Sequence, residues 1–142
     1  MYAIYPQKVL FQNFSLSYWF KINQWQQNQN NYWFATIEKL NQFSSELLRV
    51  SSDSASVYDI AFTLNNNSWN HLVLNFNNGF VELFINGNLA GSKPVTISPS
   101  QYPLYFGKDP GGLLEYTNGF LDDIRIYNRT LSANEVAYLA AH

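Results

Sequence analysis

Polar and apolar residues alternate with a period of two along several short runs of the chain. In the run FSLSYWFKI, residues 14–22, one set of alternate positions is wholly apolar or aromatic: Phe14, Leu16, Tyr18 and Phe20. Side chains of a strand point alternately to opposite faces, so this set predicts a strand with its core face. Trp19 lies in the other set, which indicates that the opposite face is also partly covered.

The segment 69–91, WNHLVLNFNNGFVELFINGNLAG, predicts a β-hairpin followed by a second turn. Residues 71–76 and 80–85 are rich in β-branched and aromatic residues and flank Asn77-Asn78-Gly79. Asn and Gly tolerate positive φ, so they reverse a strand at little cost. The pair Asn86-Gly87 predicts the next reversal on the same grounds.

The same reading along the whole chain predicts an all-β protein. Nine short strands are expected, at 8–11, 15–22, 32–39, 46–51, 58–63, 71–76, 80–85, 104–107 and 120–127. Short strands separated by turns are typical of an antiparallel β-sandwich or barrel. No linker divides the sequence, so residues 1–142 are expected to form a single domain.

The C-terminal segment follows a different pattern. Ser132 stands three residues before Glu135, which is the capping-box signature of a helix start. Val136, Leu139 and Ala140 then fall on one helical face. A short C-terminal helix that packs on the sandwich is therefore predicted.

Composition restricts the function classes. The chain has no cysteine, which excludes disulfides, thiolate metal sites and cysteine nucleophiles. Its net charge of −2 and its scattered Lys and Arg residues argue against nucleic acid as a partner. No apolar stretch approaches the roughly 20 residues that span a bilayer, so membrane insertion is not expected. The first residues show no signal-peptide pattern.

Four segments together resemble a known family. They are FSLSYWFKI, WNHLVLNFNNGFVELFINGNLAG, LYFGKDPGG and NGFLDDIRIYNRTLSANEVAYL. They are similar to the laminin G-like, concanavalin A-like lectin/glucanase superfamily, especially its pentraxin-type and bacterial LamG-like modules. The resemblance implies a jelly-roll sandwich of two antiparallel sheets. It also implies a carbohydrate-binding or adhesion module of an extracellular or surface-exposed assembly.

Catalysis is not expected. A glycosidase needs two carboxylates on either side of a sugar, and the E-x-D-x-x-E arrangement of the related glucanases does not occur in the sequence. Glu82 stands alone on its predicted strand, and adjacent Asp122 and Asp123 are expected to point to opposite faces. His71 opens a strand, and no motif places it beside a nucleophile and an acid.

The resemblance implies calcium as a cofactor, with two candidate ligand positions in the sequence. Asp122 lies in phase with Ile124 and Ile126, so it is expected to point inward. In relatives an aspartate at this position ligates calcium together with an acid of the first strand, whereas here the first acidic residue is Glu38. Asp109, in KDPGG, falls where pentraxin-type members hold calcium. Both aspartates keep a second interpretation, as hydrogen-bonding and turn residues.

Sugar binding calls for an exposed aromatic ring with polar groups around it. Trp25 lies in the amide-rich segment NQWQQNQNN, and amides both donate to and accept from hydroxyls. The other candidate ligand-binding residues are Tyr32, Asp109, Tyr116 and Asn118. The Asn-rich segments 23–31 and 65–67 have a second interpretation, as solvated loops. Three further tryptophans are predicted to be packing residues: Trp19, Trp33 and Trp69.

Two functions therefore remain. The first is a non-catalytic, lectin-like module that binds glycans, with or without calcium. The alternative is a structural or decoration domain on a cell or virion surface, whose partner is a surface protein. The sequence leaves the glycan and the oligomeric state open.

Overall fold

The chain folds into two antiparallel β-sheets and a C-terminal helix. The computed structural model describes residues 3–5, 13–22, 32–39, 42–50, 55–57, 60–63, 65, 67–94, 104–106 and 119–142. The strands are β1 (Ala3–Tyr5), β2 (Phe14–Ile22), β3 (Tyr32–Lys39), β4 (Gln42–Val50), β5 (Ala55–Val57), β6 (Ile60–Phe62), β7 (Asn70–Asn77), β8 (Phe80–Ile85), β9 (Asn88–Pro94), β10 (Leu104–Phe106) and β11 (Gly119–Tyr127). The helix is α1 (Ala133–Ala141). The predicted strand at 8–11 lies outside the described residues.

One sheet has six strands in the order β1-β10-β3-β4-β5-β6, and the other has five in the order β11-β2-β7-β8-β9. Neighbouring strands are antiparallel throughout both sheets. The predicted all-β fold class, an antiparallel two-sheet sandwich with a short C-terminal helix, is confirmed. No helix in the described ranges has the length and apolar character needed to cross a bilayer.

The core between the sheets contains the apolar set predicted for β2. Phe14, Leu16, Tyr18 and Phe20 are fully buried. The Tyr18 ring meets Phe106 of the six-stranded sheet edge to face, with ring centroids 5.7 Å apart, so the two sheets are in contact here. Burial raises the pKa of the Tyr18 phenol well above its usual value.

The two predicted turns of the five-stranded sheet are confirmed by their backbone angles. Asn78 and Gly79 have φ of 44° and 84°, and Asn86 and Gly87 have φ of 51° and 84°. Positive φ at both central residues is the geometry whose twist matches that of a hairpin's strands. β7 and β8 pair across the first turn up to Asn77 and Phe80.

The outer face of the five-stranded sheet is partly covered by α1, as Trp19 indicated. Val73 of β7 and Phe84 of β8 are buried together with Leu131 and with Val136 of the helix. The predicted capping box is present in full. The Ser132 hydroxyl accepts from the Glu135 N–H, and the Glu135 carboxylate accepts from the Ser132 N–H.

Candidate functional site

A depression of about 550 Å³ opens on the outer face of the five-stranded sheet, beside α1. We call it the Trp69 cleft. Its lining residues combine aromatic rings with charged groups: Trp19, Trp69, Asp122, Asp123, Arg125 and His142. They come from β2, from the segment before β7, from β11 and from the residue that follows α1.

A β-bulge in β11 brings both aspartates into the cleft. Asp122 pairs with Trp19, but the next paired residue is Arg125, opposite Ser17. Asp123 has φ of 49°, a left-handed conformation that Asp adopts more readily than most residues. The extra residue breaks the alternation, and the predictions that Asp122 points inward and that the two aspartates face apart are wrong. Asp122 is exposed on the outer face.

Trp69, which lines the cleft, and its neighbour Phe120 have much of their surface in solvent. Trp69 is 42% exposed and Phe120 is 48% exposed, and their ring centroids lie 6.3 Å apart. The prediction that Trp69 is a packing residue is therefore wrong. It follows a turn and precedes β7, so it lies just outside the run of buried residues 70–76. Trp19 is half-buried, as a packing residue on a partly covered face would be.

The charged groups of the cleft form a local network. Arg125 Nε donates to Asp123 Oδ1 at 2.8 Å, and Asp122 Oδ1 accepts from the Asp123 N–H at 2.8 Å. The hydrogen bonds to Asp123 and then to Tyr127 raise the pKa of the Arg125 guanidinium. The lining has two carboxylates and one guanidinium. The cleft consequently offers acceptors and donors with an acidic balance.

His71 is paired with Trp19 across β2 and β7 and does not line the cleft. The two ring centroids are 5.0 Å apart, and the His71 imidazole is 2% exposed. Burial lowers its pKa to about 4, while Asp123 raises it and Arg125 lowers it by smaller amounts. The imidazole is therefore neutral near neutral pH.

Ser17 and His71 lie at the distance of a nucleophile and its base, but their surroundings differ from those of a catalytic pair. Ser17 Oγ is 2.9 Å from His71 Nε2, and both residues are 2% exposed. Among the described residues, no group hydrogen-bonds to His71 Nδ1, where a triad would have its acid. Both side chains are buried, so the pair is closed to a substrate, and the His71 ring packs against Trp19.

The predicted calcium site at Asp122 differs from the structure in two respects. Asp123 lines the same cleft, and the Asp122 side chain is exposed instead of pointing inward. Calcium takes six to eight oxygen ligands. Within the part of the chain that the structure describes, no group of three or more His, Cys, Asp or Glu residues could hold a metal ion. Arg125 pairs with Asp123, so a cation would have to displace it. Calcium binding at Asp122 stays a prediction, as it does at Asp109, which is not described.

The structure does not place the remaining predicted ligand residues in this cleft. Trp25, Asp109, Tyr116 and Asn118 lie outside the described residues. Tyr32 begins β3, where its backbone pairs with Val50, and its side chain is outside the description. These predictions stay predictions.

Sequence reasoning missed the roles of Trp69, Asp123 and Arg125. One signal was present: two consecutive aspartates inside a strand, where Asp is disfavoured, are compatible with a bulge. The pairing of β11 with β2 and the approach of α1 are long-range features, and no local pattern indicates them.

A family model described as the concanavalin A-like lectin/glucanases superfamily, of the laminin G type, matches residues 2–137. Members of this superfamily are jelly-roll β-sandwiches, in agreement with the two sheets described above. Comparison with curated proteins finds no match in sequence.

Solved structures share this fold at low sequence identity. Domain 4 of the extracellular arabinanase AbnA from Geobacillus stearothermophilus, in complex with arabinotriose, superposes with a TM-score of 0.71 at 21% identity over 91% of this chain. The binding domain of botulinum neurotoxin DC, in complex with rat synaptotagmin II, superposes with a TM-score of 0.68 at 21% identity over 94% of this chain. Trypanosoma rangeli sialidase gives a TM-score of 0.71 at 17% identity over 90% of this chain. This chain spans 66%, 36% and 22% of those three chains, respectively.

Proposed function

The chain belongs to the concanavalin A-like lectin/glucanases superfamily, and we propose that it is a non-catalytic carbohydrate-binding domain whose ligand binds in the Trp69 cleft. The observation that carries this proposal is an exposed indole beside two carboxylates and a guanidinium. A sugar presents apolar C–H groups on its ring faces and hydroxyls at its rim. Trp69 offers a flat apolar surface for the first, while Asp122, Asp123 and Arg125 accept from and donate to the second.

The charge of the cleft favours a neutral sugar. Two carboxylates and one guanidinium line it, and the guanidinium is already paired with Asp123. An acidic sugar, such as a sialylated or sulfated glycan, would place a like charge beside Asp122, which costs binding energy. Neutral pentose or hexose units avoid this repulsion.

The arrangement of the carboxylates supports a binding role over hydrolysis. A glycosidase places its two carboxylates on either side of the scissile bond, roughly 5 to 9.5 Å apart. Asp122 and Asp123 are consecutive residues of one strand, the first accepting from the backbone N–H of the second. Asp123 also accepts from Arg125 Nε at 2.8 Å, so its carboxylate is already engaged in an ion pair.

The structural neighbours are consistent with this class of function and with a location outside the cell or at its surface. The arabinanase domain is part of an extracellular enzyme and holds arabinotriose. Cell entry of botulinum neurotoxin type C depends on two ganglioside molecules, and its structure superposes with a TM-score of 0.67 at 21% identity over 94% of this chain.

A second candidate function, a domain that binds a surface protein, is favoured by one observation. Trp69 and Phe120 form a pair of exposed aromatic rings, and such residues are enriched at protein interfaces. The neurotoxin DC domain that shares this fold is in complex with synaptotagmin II.

Calorimetric titration with a panel of neutral and acidic oligosaccharides, including arabinotriose, tests the proposal. Trp69→Ala should weaken binding of a neutral sugar by about tenfold or more, since it removes the stacking surface. Phe80→Ala is the matched control, because Phe80 is a 51% exposed aromatic residue that does not line the cleft. It should bind like the wild type.

Equal binding by Trp69→Ala and the wild type would contradict the proposal. A panel without any ligand would favour the protein-binding alternative. Trp25→Ala in the same titration tests the loop predicted from sequence.

A further inference from the structure

A second depression has lining residues that lie next to those of the Trp69 cleft in β11 and at the end of α1. Its volume is about 370 Å³, and we call it the Tyr138 depression. Residues of β11, of the segment that follows it and of α1 line it: Tyr127, Arg129, Leu131, Asn134, Glu135, Tyr138 and Leu139.

The two depressions meet along β11. Arg125 lines the Trp69 cleft and Tyr127 lines the Tyr138 depression. They pair with Ser17 and Ser15 of β2, so they are successive residues on the outer face. Successive side chains on one face of a strand are about 6.8 Å apart. Tyr127 is also a hydrogen-bond partner that raises the pKa of Arg125. A lining residue of the first depression and one of the second are therefore neighbours along β11.

Lining residues of the two depressions are also in contact at the end of α1. His142 lines the Trp69 cleft and Tyr138 lines the Tyr138 depression. Their rings are stacked, with centroids 4.2 Å apart and an angle of 21° between planes. His142 Nδ1 also lies 2.8 Å from the Tyr138 carbonyl oxygen. These contacts place the His142 ring beside the Tyr138 ring at the end of α1.

The Tyr138 depression repeats the chemistry of the Trp69 cleft. Tyr138 is 63% exposed, which makes it a second aromatic platform. Beside it, the Arg129 guanidinium and the Glu135 carboxylate form a two-point ion pair at 2.7 and 3.0 Å. Together with Asn134, these groups provide donors and acceptors for hydroxyls without a net charge.

We propose that the two depressions form one groove that binds a linear, neutral oligosaccharide, with one sugar unit on Trp69 and a later unit on Tyr138. This inference rests on the proposed function, since Trp69 is its first contact. Two aromatic platforms whose depressions have neighbouring lining residues fit a chain of sugars better than a single unit. Affinity should accordingly rise with ligand length until the second platform is reached.

Calorimetric titration with two length series tests the groove. One series is arabinose, arabinobiose and arabinotriose, and the other is glucose, cellobiose and cellotriose. The wild type should bind the trisaccharide of one series about tenfold more tightly than its monosaccharide, as expected for a second buried aromatic face. Tyr138→Ala should remove that gain, so that the trisaccharide binds no more tightly than the monosaccharide. Tyr138→Phe should retain the gain, and Phe80→Ala should have no effect.

The outcomes separate the groove from the function on which it rests. Ala is the best helix former, and Tyr138 is exposed, so Tyr138→Ala should unfold at the wild-type midpoint. If Trp69→Ala abolishes binding while Tyr138→Ala keeps the full length dependence, the groove is wrong and the Trp69 cleft stands. If Tyr138→Ala weakens the monosaccharide and the trisaccharide equally, the second subsite is also wrong. If the wild type binds no member of either series, both the groove and the proposed ligand class are overturned.

Discussion

The Asn75 side chain hydrogen-bonds to both backbone polar groups of Leu131, which lies 56 residues away. Its Oδ1 accepts from the Leu131 N–H at 3.0 Å, and its Nδ2 donates to the Leu131 carbonyl at 2.8 Å. Ser15 Oγ lies 2.6 Å from Asn75 Oδ1 and 2.7 Å from the Arg129 carbonyl oxygen. The buried Asn75 amide thus satisfies the backbone groups of Leu131 as a paired strand would. It thereby holds the segment between β11 and α1 against the sheet.

Asn75→Asp should destabilise the fold by about 3 kcal/mol, because it replaces the donor to the Leu131 carbonyl with a buried carboxylate oxygen. Urea unfolding of the variant and the wild type measures the change. Asn77→Asp is the control, since Asn77 lies two residues further along β7 on the same face and is exposed. Its free energy of unfolding should stay within about 0.5 kcal/mol of the wild type. Similar losses in the two variants would show that the contact with Leu131 contributes little.

Gly91 marks a close approach between the edge strands β9 and β6. A Cβ atom at Gly91 would lie 2.7 Å from Cγ2 of the buried Ile60. Gly91→Ala should therefore cost about 1–3 kcal/mol through overpacking. In the double variant Gly91→Ala/Ile60→Ala the clash is absent, so the two single losses should sum to more than the measured loss. Strict additivity in denaturant unfolding would refute the account of this contact.

The buried His71 side chain should make the folded protein less stable in acid. Its pKa is lowered to about 4 in the folded state, chiefly by burial, with opposing smaller effects of Asp123 and Arg125. The His71 imidazole therefore binds a proton more tightly in the unfolded chain than in the folded protein. The contribution to stability is complete above the unfolded pKa of about 6.5 and is lost as pH falls toward about 4.

Urea midpoints at several pH values between neutral and about pH 4 measure this loss. His71→Gln, which retains a polar group for Ser17 but has no titrating ring, should lose less of its own neutral-pH stability over this range. An unchanged pH profile in the variant would mean that another group is responsible.

The five-stranded sheet was predictable where its signals are local. The Asn-Gly turns at Asn78 and Asn86 require only a residue pair that accepts positive φ, and the capping box of α1 requires only Ser132 and Glu135. β9 has no such signal. Its run NLAGSKP lacks apolar alternation, and what defines it as a strand is its backbone pairing with β8.

The Trp69 cleft was not predictable because it depends on contacts between distant parts of the chain. A bulge in β11 turns Asp122 outward, and the location of Trp69 depends on the turn that precedes β7. Periodicity describes regular strands and fails where one residue is inserted.

The amide-rich composition also has a structural explanation in part of the chain. Buried Asn70 accepts from the Asn65 N–H at 3.0 Å and donates to the carbonyls of Asn65 and Ser68, each at 3.0 Å. Asn86 Nδ2 donates to Asn70 Oδ1 at 3.2 Å. At these positions asparagine side chains satisfy backbone groups of turns, so their abundance alone does not indicate a ligand.

The most direct test of the proposed function is a heteronuclear NMR titration with the neutral trisaccharide that binds best. Assignment by Trp69→Phe identifies the Trp69 indole N–H signal. The account predicts that this signal and the backbone amides of Asp122, Asp123 and Arg125 shift with one saturating affinity, while the amides around Phe80 do not. A saturating titration that leaves the Trp69 indole and these amides unchanged would contradict it, because the sugar would then bind elsewhere on the domain.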